Sequence, residues 1–146
     1  ILVVVLLDPL ALPTDVPALE VAVAASVNRE RTSRGQPALA YSERLATIAR
    51  GHSEAMARLS FFDHTAPDGR QAGDRVRDAG ESFRVVAENI YRVRGNEAPG
   101  RAATEAWMNS PGHRSNILST NTRIGVGFAV AADGRRYWTQ VFATPR

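Results

Sequence analysis

Cysteine is absent from the 146 residues, which removes disulfides, thiol nucleophiles and zinc–thiolate centres from consideration. Lysine is absent too, so all 18 basic residues are arginine. The formal net charge is only +3, and the isoelectric point of about 10.1 reflects the choice of arginine more than an excess of positive charge. The arginines run from Arg29 to Arg146, and only Arg29/Arg31/Arg34 and Arg135-Arg136 come close to clustering. A nucleic-acid surface needs a concentrated basic face with stacking aromatics beside it, and none is present. An all-arginine set in an alanine-rich chain reads as the coding bias of a GC-rich genome. Long apolar runs are also missing. Ile1–Leu7 is too short to span a bilayer and is ended by Asp8-Pro9. Two readings of it stand, the tail of a signal-peptide core or a strand, and no stable membrane span is expected.

What remains is the composition of one globular domain, 44% hydrophobic and 23% charged. Residues 1–17 divide into the apolar segment and a proline-containing linker, and the folded domain is expected over 18–146. Helical spacing of Leu19, Val23, Val27 and Glu30 predicts a first helix stopped by Gly35. Ser42 precedes a second helix, with Leu45, Ile48/Ala49, His52 and Met56 on one side. His52 therefore lies on an apolar stripe and is read as a packed core residue. Arg70–Ala79 is expected as a third helix with an arginine- and aspartate-rich solvent face, ended by Gly80. Phe83–Val93 reads as a strand, 94–100 as a loop and Arg101–Met108 as a fourth helix. Ser110-Pro111 starts a short helix, with the serine as its cap. Ile124–Val130 and Tyr137–Phe142 flank Asp133-Gly134, a hairpin signal. Helices followed by antiparallel strands point to an α+β layered domain.

Two of the three histidines, His64 and His113, sit in turn-forming sequence, Phe62-Asp63-His64-Thr65-Ala66-Pro67-Asp68-Gly69 and Asn109-Ser110-Pro111-Gly112-His113-Arg114. Between them Ala87-Glu88-Asn89-Ile90 places an acid in apolar surroundings. If the fold joins these segments, two imidazoles and a carboxylate offer three chemistries. They suit a divalent metal, zinc before others, with a coordination position left open. They suit acid–base catalysis, in which a histidine oriented by Glu88 activates water or Ser110. They also suit a paired polar network that fixes the loops around a cleft. No spacing of the His-Glu-x-x-His type, clear nucleophile or oxyanion hole is visible, which sets hydrolysis last. Trp107, Trp138, Tyr137 and Phe142 are read as packing residues, and Gly125 and Gly127 as sites of close strand packing.

In order, the His64 segment, Ala87-Glu88-Asn89-Ile90, the Trp107–Leu118 segment, Ile124-Gly125-Val126-Gly127 and Tyr137-Trp138-Thr139-Gln140 resemble the successive motifs of a bacterial CAP (SCP-like) domain. Val27-Asn28-Arg29-Glu30-Arg31 in the first helix fits the same pattern, so the resemblance covers roughly Leu19 to Phe142. It implies a three-layer α-β-α sandwich with a central antiparallel sheet, secreted or held in the cell envelope, with a large cleft. By that resemblance the cleft residues are His64, Glu88 and His113. The second acid that animal members carry after the tryptophan of the last helix is replaced here by Met108-Asn109-Ser110, and Glu105 is the nearest alternative. The expectation is a non-catalytic module whose His64/Glu88/His113 cleft takes a divalent metal and a lipid, peptide or envelope component. A peptide or ester hydrolase using the same three residues, and a lipid or sterol carrier, are the alternatives.

Overall fold

The computed structural model describes residues 15–94 and 100–146. The apolar run Ile1–Leu7 and residues 95–99 of the expected loop lie outside them. In chain order the elements are α1 (Val16–Thr32), β1 (Ala40–Tyr41), α2 (Glu43–Leu59), α3 (Ala72–Asp78), β2 (Phe83–Val93), α4 (Arg101–Met108), α5 (Pro111–Ile117), β3 (Arg123–Val130) and β4 (Arg136–Pro145). One four-stranded sheet has the order β1-β3-β4-β2, with α2 and α3 on one face and α1, α4 and α5 on the other. The result is the expected three-layer α+β arrangement.

The three long strands are antiparallel, Glu88 lying opposite Val141 and Gly125 opposite Val141 on the other side. The short β1 pairs parallel with β3, an addition that the hairpin pattern did not announce. Gly134, at φ +87°, lets the chain reverse between β3 and β4 as Asp133-Gly134 foretold. The first helix starts earlier than expected. Asp15 accepts the amide of Ala18 and Pro17 lies in the first turn, so residues assigned to a linker begin the helix. The third helix is shorter than expected, opening at Ala72 after a capping box between Gln71 and Asp74.

Side-chain alternation along the strands divides the core. Ile124, Val126, Phe128, Trp138 and Phe142 pack with Val23 and Val27 of α1, Trp107 of α4 and Ile117 of α5. Leu45 and Ala49 of α2 and Val76 of α3 pack on Val141 and Ala143 across the sheet. The residues of β3 facing α2 are Gly125 and Gly127. A Cβ on Gly125 would stand 2.2 Å from the amide nitrogen of Ala46, and one on Gly127 2.0 Å from that of Arg50. Only glycine lets the helix axis come so near. At the same place Glu20, fully buried on α1, receives both Arg50 of α2, at 2.9 and 2.5 Å, and the backbone amide of Phe128, at 3.0 Å. One carboxylate thus ties both helical layers to β3. Among the described residues no helix is long and apolar enough to cross a membrane.

Candidate functional site

The site forms where both helical layers reach past the free edge of β2. Glu88 projects toward α2 and α3, while its neighbour Asn89 projects toward α5. Ser60, at φ +56°, ends α2 and turns the chain into the loop bearing His64. That loop braces itself: the Asp63 carboxylate accepts the amide of Thr65, and the amide of Gly69 donates to the carbonyl of Ala66. It is also held from both sides, by Nε2 of His52 at 2.8 Å from the carbonyl of Asp63 and by Arg75 on the carbonyl of His64.

Within this frame His64 Nδ1 lies 2.9 Å from Glu88 Oε1. The Glu88 side chain is only 4% exposed, whereas that of His64 is 50% exposed. The hydrogen bond to Glu88 holds the His64 pKa above the ordinary imidazole value, against the opposing cost of burial. The other Glu88 oxygen, Oε2, accepts Nη2 of Arg75 at 2.7 Å. His52 approaches from α2, its Nε2 3.9 Å from Glu88 Oε1. Burial lowers the His52 pKa, so that this ring is kept neutral.

His113 comes from the opposite helical layer. Asn89, completely buried, donates to the carbonyl of His113 at 3.1 Å, and Asn116 donates to Asn89 Oδ1 at 2.9 Å and to the carbonyl of Glu88 at 3.3 Å. These contacts lock α5 to the edge strand that carries Glu88. The His113 ring is electrostatically coupled to His64: burial first, and then the His64 charge, lower its pKa. Its Nδ1 lies 2.9 Å from Ser110 Oγ. Here the reading of Ser110 as a capping side chain is corrected. Ser110 occupies the N-cap position, but its hydroxyl makes no cap bond to the backbone and engages the imidazole at the third helical position instead.

The structure thus joins His64 to Glu88 directly and places His113 across the edge of β2 from them. Glu105 takes no part, since it is exposed on α4 and accepts a hydrogen bond from Arg101. His52 is packed, as its apolar stripe indicated, yet it also borders the site. Arg75 is the larger omission. It belongs to the helix read as having a solvated arginine/aspartate face, but its side chain is 14% exposed and aimed at Glu88. Two polar-looking asparagines, Asn89 and Asn116, also prove to be the connectors. Among the described residues no group of three or more His, Cys, Asp or Glu side chains is arranged to hold a metal ion.

A cavity of about 370 Å³ opens here, lined by His64, Glu88 and Asn116 together with Gln71 and Gly73. It adjoins a larger one of about 650 Å³ that shares Gln71, Gly73 and Val86 and runs toward Arg84. The larger space has no histidine on its walls, so the candidate chemistry belongs to the smaller.

Comparison with known proteins agrees with this architecture. The chain is 37% identical over 131 residues to the uncharacterized protein YkwD of Bacillus subtilis, covering 89% of this chain and 49% of YkwD. An extracellular SCP-domain protein of Bacillus anthracis superposes with a TM-score of 0.78 at 31% identity, over 88% of this chain and 41% of the other. The chain therefore spans about half or less of the length of these relatives. An outer surface protein of Borrelia burgdorferi shares the fold, with a TM-score of 0.76 at 17% identity, over 86% of this chain and 91% of that one. The profile of the cysteine-rich secretory protein family, CAP, matches residues 24–142, and the chain belongs to that family.

Proposed function

We propose that this domain is an exported, non-catalytic binding module whose cleft takes a divalent cation through Nε2 of His64 and of His113. The observation carrying this reading is the way the two rings are held. Each has Nδ1 engaged, by Glu88 in one case and Ser110 in the other, while Nε2 meets no hydrogen-bonding partner among the described residues. His64, which donates Nδ1–H to the Glu88 carboxylate, has its tautomer fixed and presents a lone pair at Nε2, and His113 presents one in the tautomer whose Nδ1–H donates to the Ser110 hydroxyl. Two such donors fit a borderline-soft cation such as zinc, with water or a ligand group completing its shell. Glu88 does not fit as a third donor, because both its oxygens are already claimed. Its place is to orient His64. A bound cation would supply a positive centre that attracts an anionic or carbonyl group of a ligand in the cleft.

The contiguous cavities along β2 leave room for a ligand reaching from His64 toward Arg84, and a peptide or envelope component suits their mixed polar and apolar walls. Export is supported by the extracellular and outer-surface relatives. Hydrolysis finds less support. The pairing of Ser110 with His113 is a local contact across the first turn of α5, and the carboxylate that would orient a catalytic base serves His64 instead. Calorimetric titration with zinc tests the proposal. The wild type is expected to bind one ion and the His64→Ala/His113→Ala double variant none; equal binding by both refutes it.

A further inference from the structure

The sheet ends in β2, whose outer edge is covered along only part of its length. Strand pairing decides which backbone groups face outward. The carbonyl of Ala143 accepts the amide of Thr122 on the β3 side of β4, so Val86, which lies opposite Ala143, turns its own N–H and C=O away from β4. By the alternation of an antiparallel ladder, Glu88 and Ile90 do the same. Their carbonyls are occupied: Asn116 of α5 donates to that of Glu88 at 3.3 Å, and Trp107 of α4 to that of Ile90 at 3.0 Å. Val86 has no such cover. Its amide and carbonyl, and the amide of Glu88, meet no hydrogen-bonding partner among the described residues. A strand edge with unpaired groups is a template for one more strand.

The surroundings of this edge select its occupant. Val86 is common to both cavities along β2, and so is Gly73, where even a Cβ would meet nothing within 4 Å. Val85, which points to the other face of the sheet, is a large apolar side chain left 47% exposed. On the wall of the larger cavity Asp74 and Glu81 are already paired, with Arg77 and Arg44, whereas Arg84 and Arg146 have no ion-pair partner among the described residues. A strand antiparallel to β2 brings its C-terminal end to Arg84. We propose that the edge of β2 at Val86 takes an extended peptide segment as an added antiparallel strand, with a carboxylate near the segment's C-terminal end set against Arg84. Val86 gives and receives one hydrogen bond each, and the Glu88 amide gives a third; side chains of the segment alternate between the space beside Gly73 and the Val85 face. Because Asn116 and Trp107 close the edge beyond Val86, a short segment fits it better than the sheet of a second copy. This deepens the reading of the β2 cavities as the ligand's place and asks nothing of the histidines as metal donors.

The test uses the full chain without metal, amide hydrogen exchange by NMR, and as probe a pool of acetylated pentapeptides of mixed valine and threonine that end in aspartate. In the free protein the Val86 amide should exchange fast and the Ala87 amide, paired with Phe142 in the ladder, slowly; peptide should slow Val86. Val86→Pro removes the outward N–H and no bond to β4, and should weaken binding about fivefold, the worth of one hydrogen bond, while Val86→Ala binds as wild type. Arg84→Gln should cost about threefold, since Arg84 is exposed, and should cost nothing with peptides ending in an asparagine amide. Where Val86→Pro fails to fold, N-methylation of the peptides at alternate amides reports the same bonds: one set should lose binding and the other keep it. No slowing at Val86 with millimolar peptide, or undiminished binding by Val86→Pro, overturns the inference. A dimer in sedimentation that Val86→Pro dissociates gives the edge to a second copy and overturns it too. Zinc titration of the same sample is independent: zinc uptake without peptide binding overturns this inference alone, and peptide binding without zinc uptake overturns the metal site alone.

Discussion

Replacing Gly127 by alanine adds a single methyl group, yet it should be among the most damaging substitutions in the domain. The new Cβ would stand 2.0 Å from the amide nitrogen of Arg50, 2.2 Å from the carbonyl carbon of Ala49 and 2.4 Å from Cα of Arg50. Normal contacts lie near 3.5 Å, so α2 must retreat by roughly 1.5 Å, and a gap of about half that already forfeits much of the dispersion energy across an interface. The obstacle is helix backbone, so no side chain can swing aside. Retreat also strains the bonds that Ser53 makes with the carbonyl of Gly127 and the hydroxyl of Thr139, and the Glu20–Arg50 pair. Overpacking costs about 1–3 kcal/mol and each weakened buried hydrogen bond about 1 kcal/mol, so a loss of about 3–5 kcal/mol is expected. Gly73 on α3 is the contrasting control. A Cβ there meets nothing within 4 Å, and its backbone is helical, so Gly73→Ala should raise stability by about 0.5–1 kcal/mol. Urea denaturation followed by circular dichroism measures both, with unchanged slope as the sign of intact two-state unfolding. A Gly127→Ala protein within about 1 kcal/mol of wild type refutes the argument that helix–sheet contact dictates glycine.

Other consequences follow from the buried charges. Glu20→Ala leaves the Phe128 amide and the Arg50 guanidinium without their acceptor and should cost about 3 kcal/mol in the same assay, the low end for breaking a buried pair because Arg50 is 30% exposed. In an NMR titration of the metal-free protein, His64 should titrate above 6.5 and His52 and His113 below it, with Glu88→Gln lowering the His64 midpoint; His64 at or below 6.5 contradicts the assigned partnership. The stability linkages have opposite signs. The raised His64 pKa contributes stability that is fully present below about 6.5 and is lost as pH rises through its folded value, whereas the lowered His52 pKa contributes stability present above about 6.5 and lost as pH falls through its folded value. A His52→Phe variant should therefore show a smaller stability loss than wild type between pH 7 and pH 5.

Much of the fold was legible because it is locally encoded. Ser42 before α2 and Asp133-Gly134 between β3 and β4 are short-range signals, and the elements form where they lie. β1 escaped notice because two residues, Ala40 and Tyr41, carry no periodicity and pair only through a distant strand. Asp15 was passed over as the cap of α1 because Pro17, which suits a first helical turn, was read as linker. In the site, the turn positions of His64 and His113 and the acid in Ala87-Glu88-Asn89-Ile90 identified the residues that the fold gathers, yet their partners stayed hidden. Arg75 looks like any surface arginine in an Arg/Asp-rich segment; only the tertiary approach of α3 to β2 turns it inward to Glu88. Ser110 shows the same limit, since its sequence specifies a cap position and not which acceptor or donor its hydroxyl selects.

The central claim is that two imidazoles from opposite helical layers form one cation site with Glu88 outside it. Anomalous diffraction at the zinc edge from zinc-soaked crystals tests this most directly. One peak is expected at about 2.0–2.1 Å from Nε2 of both His64 and His113, with Glu88 still bonded to His64 Nδ1 and Arg75. No shared peak, or a peak bonded to a Glu88 oxygen, contradicts it.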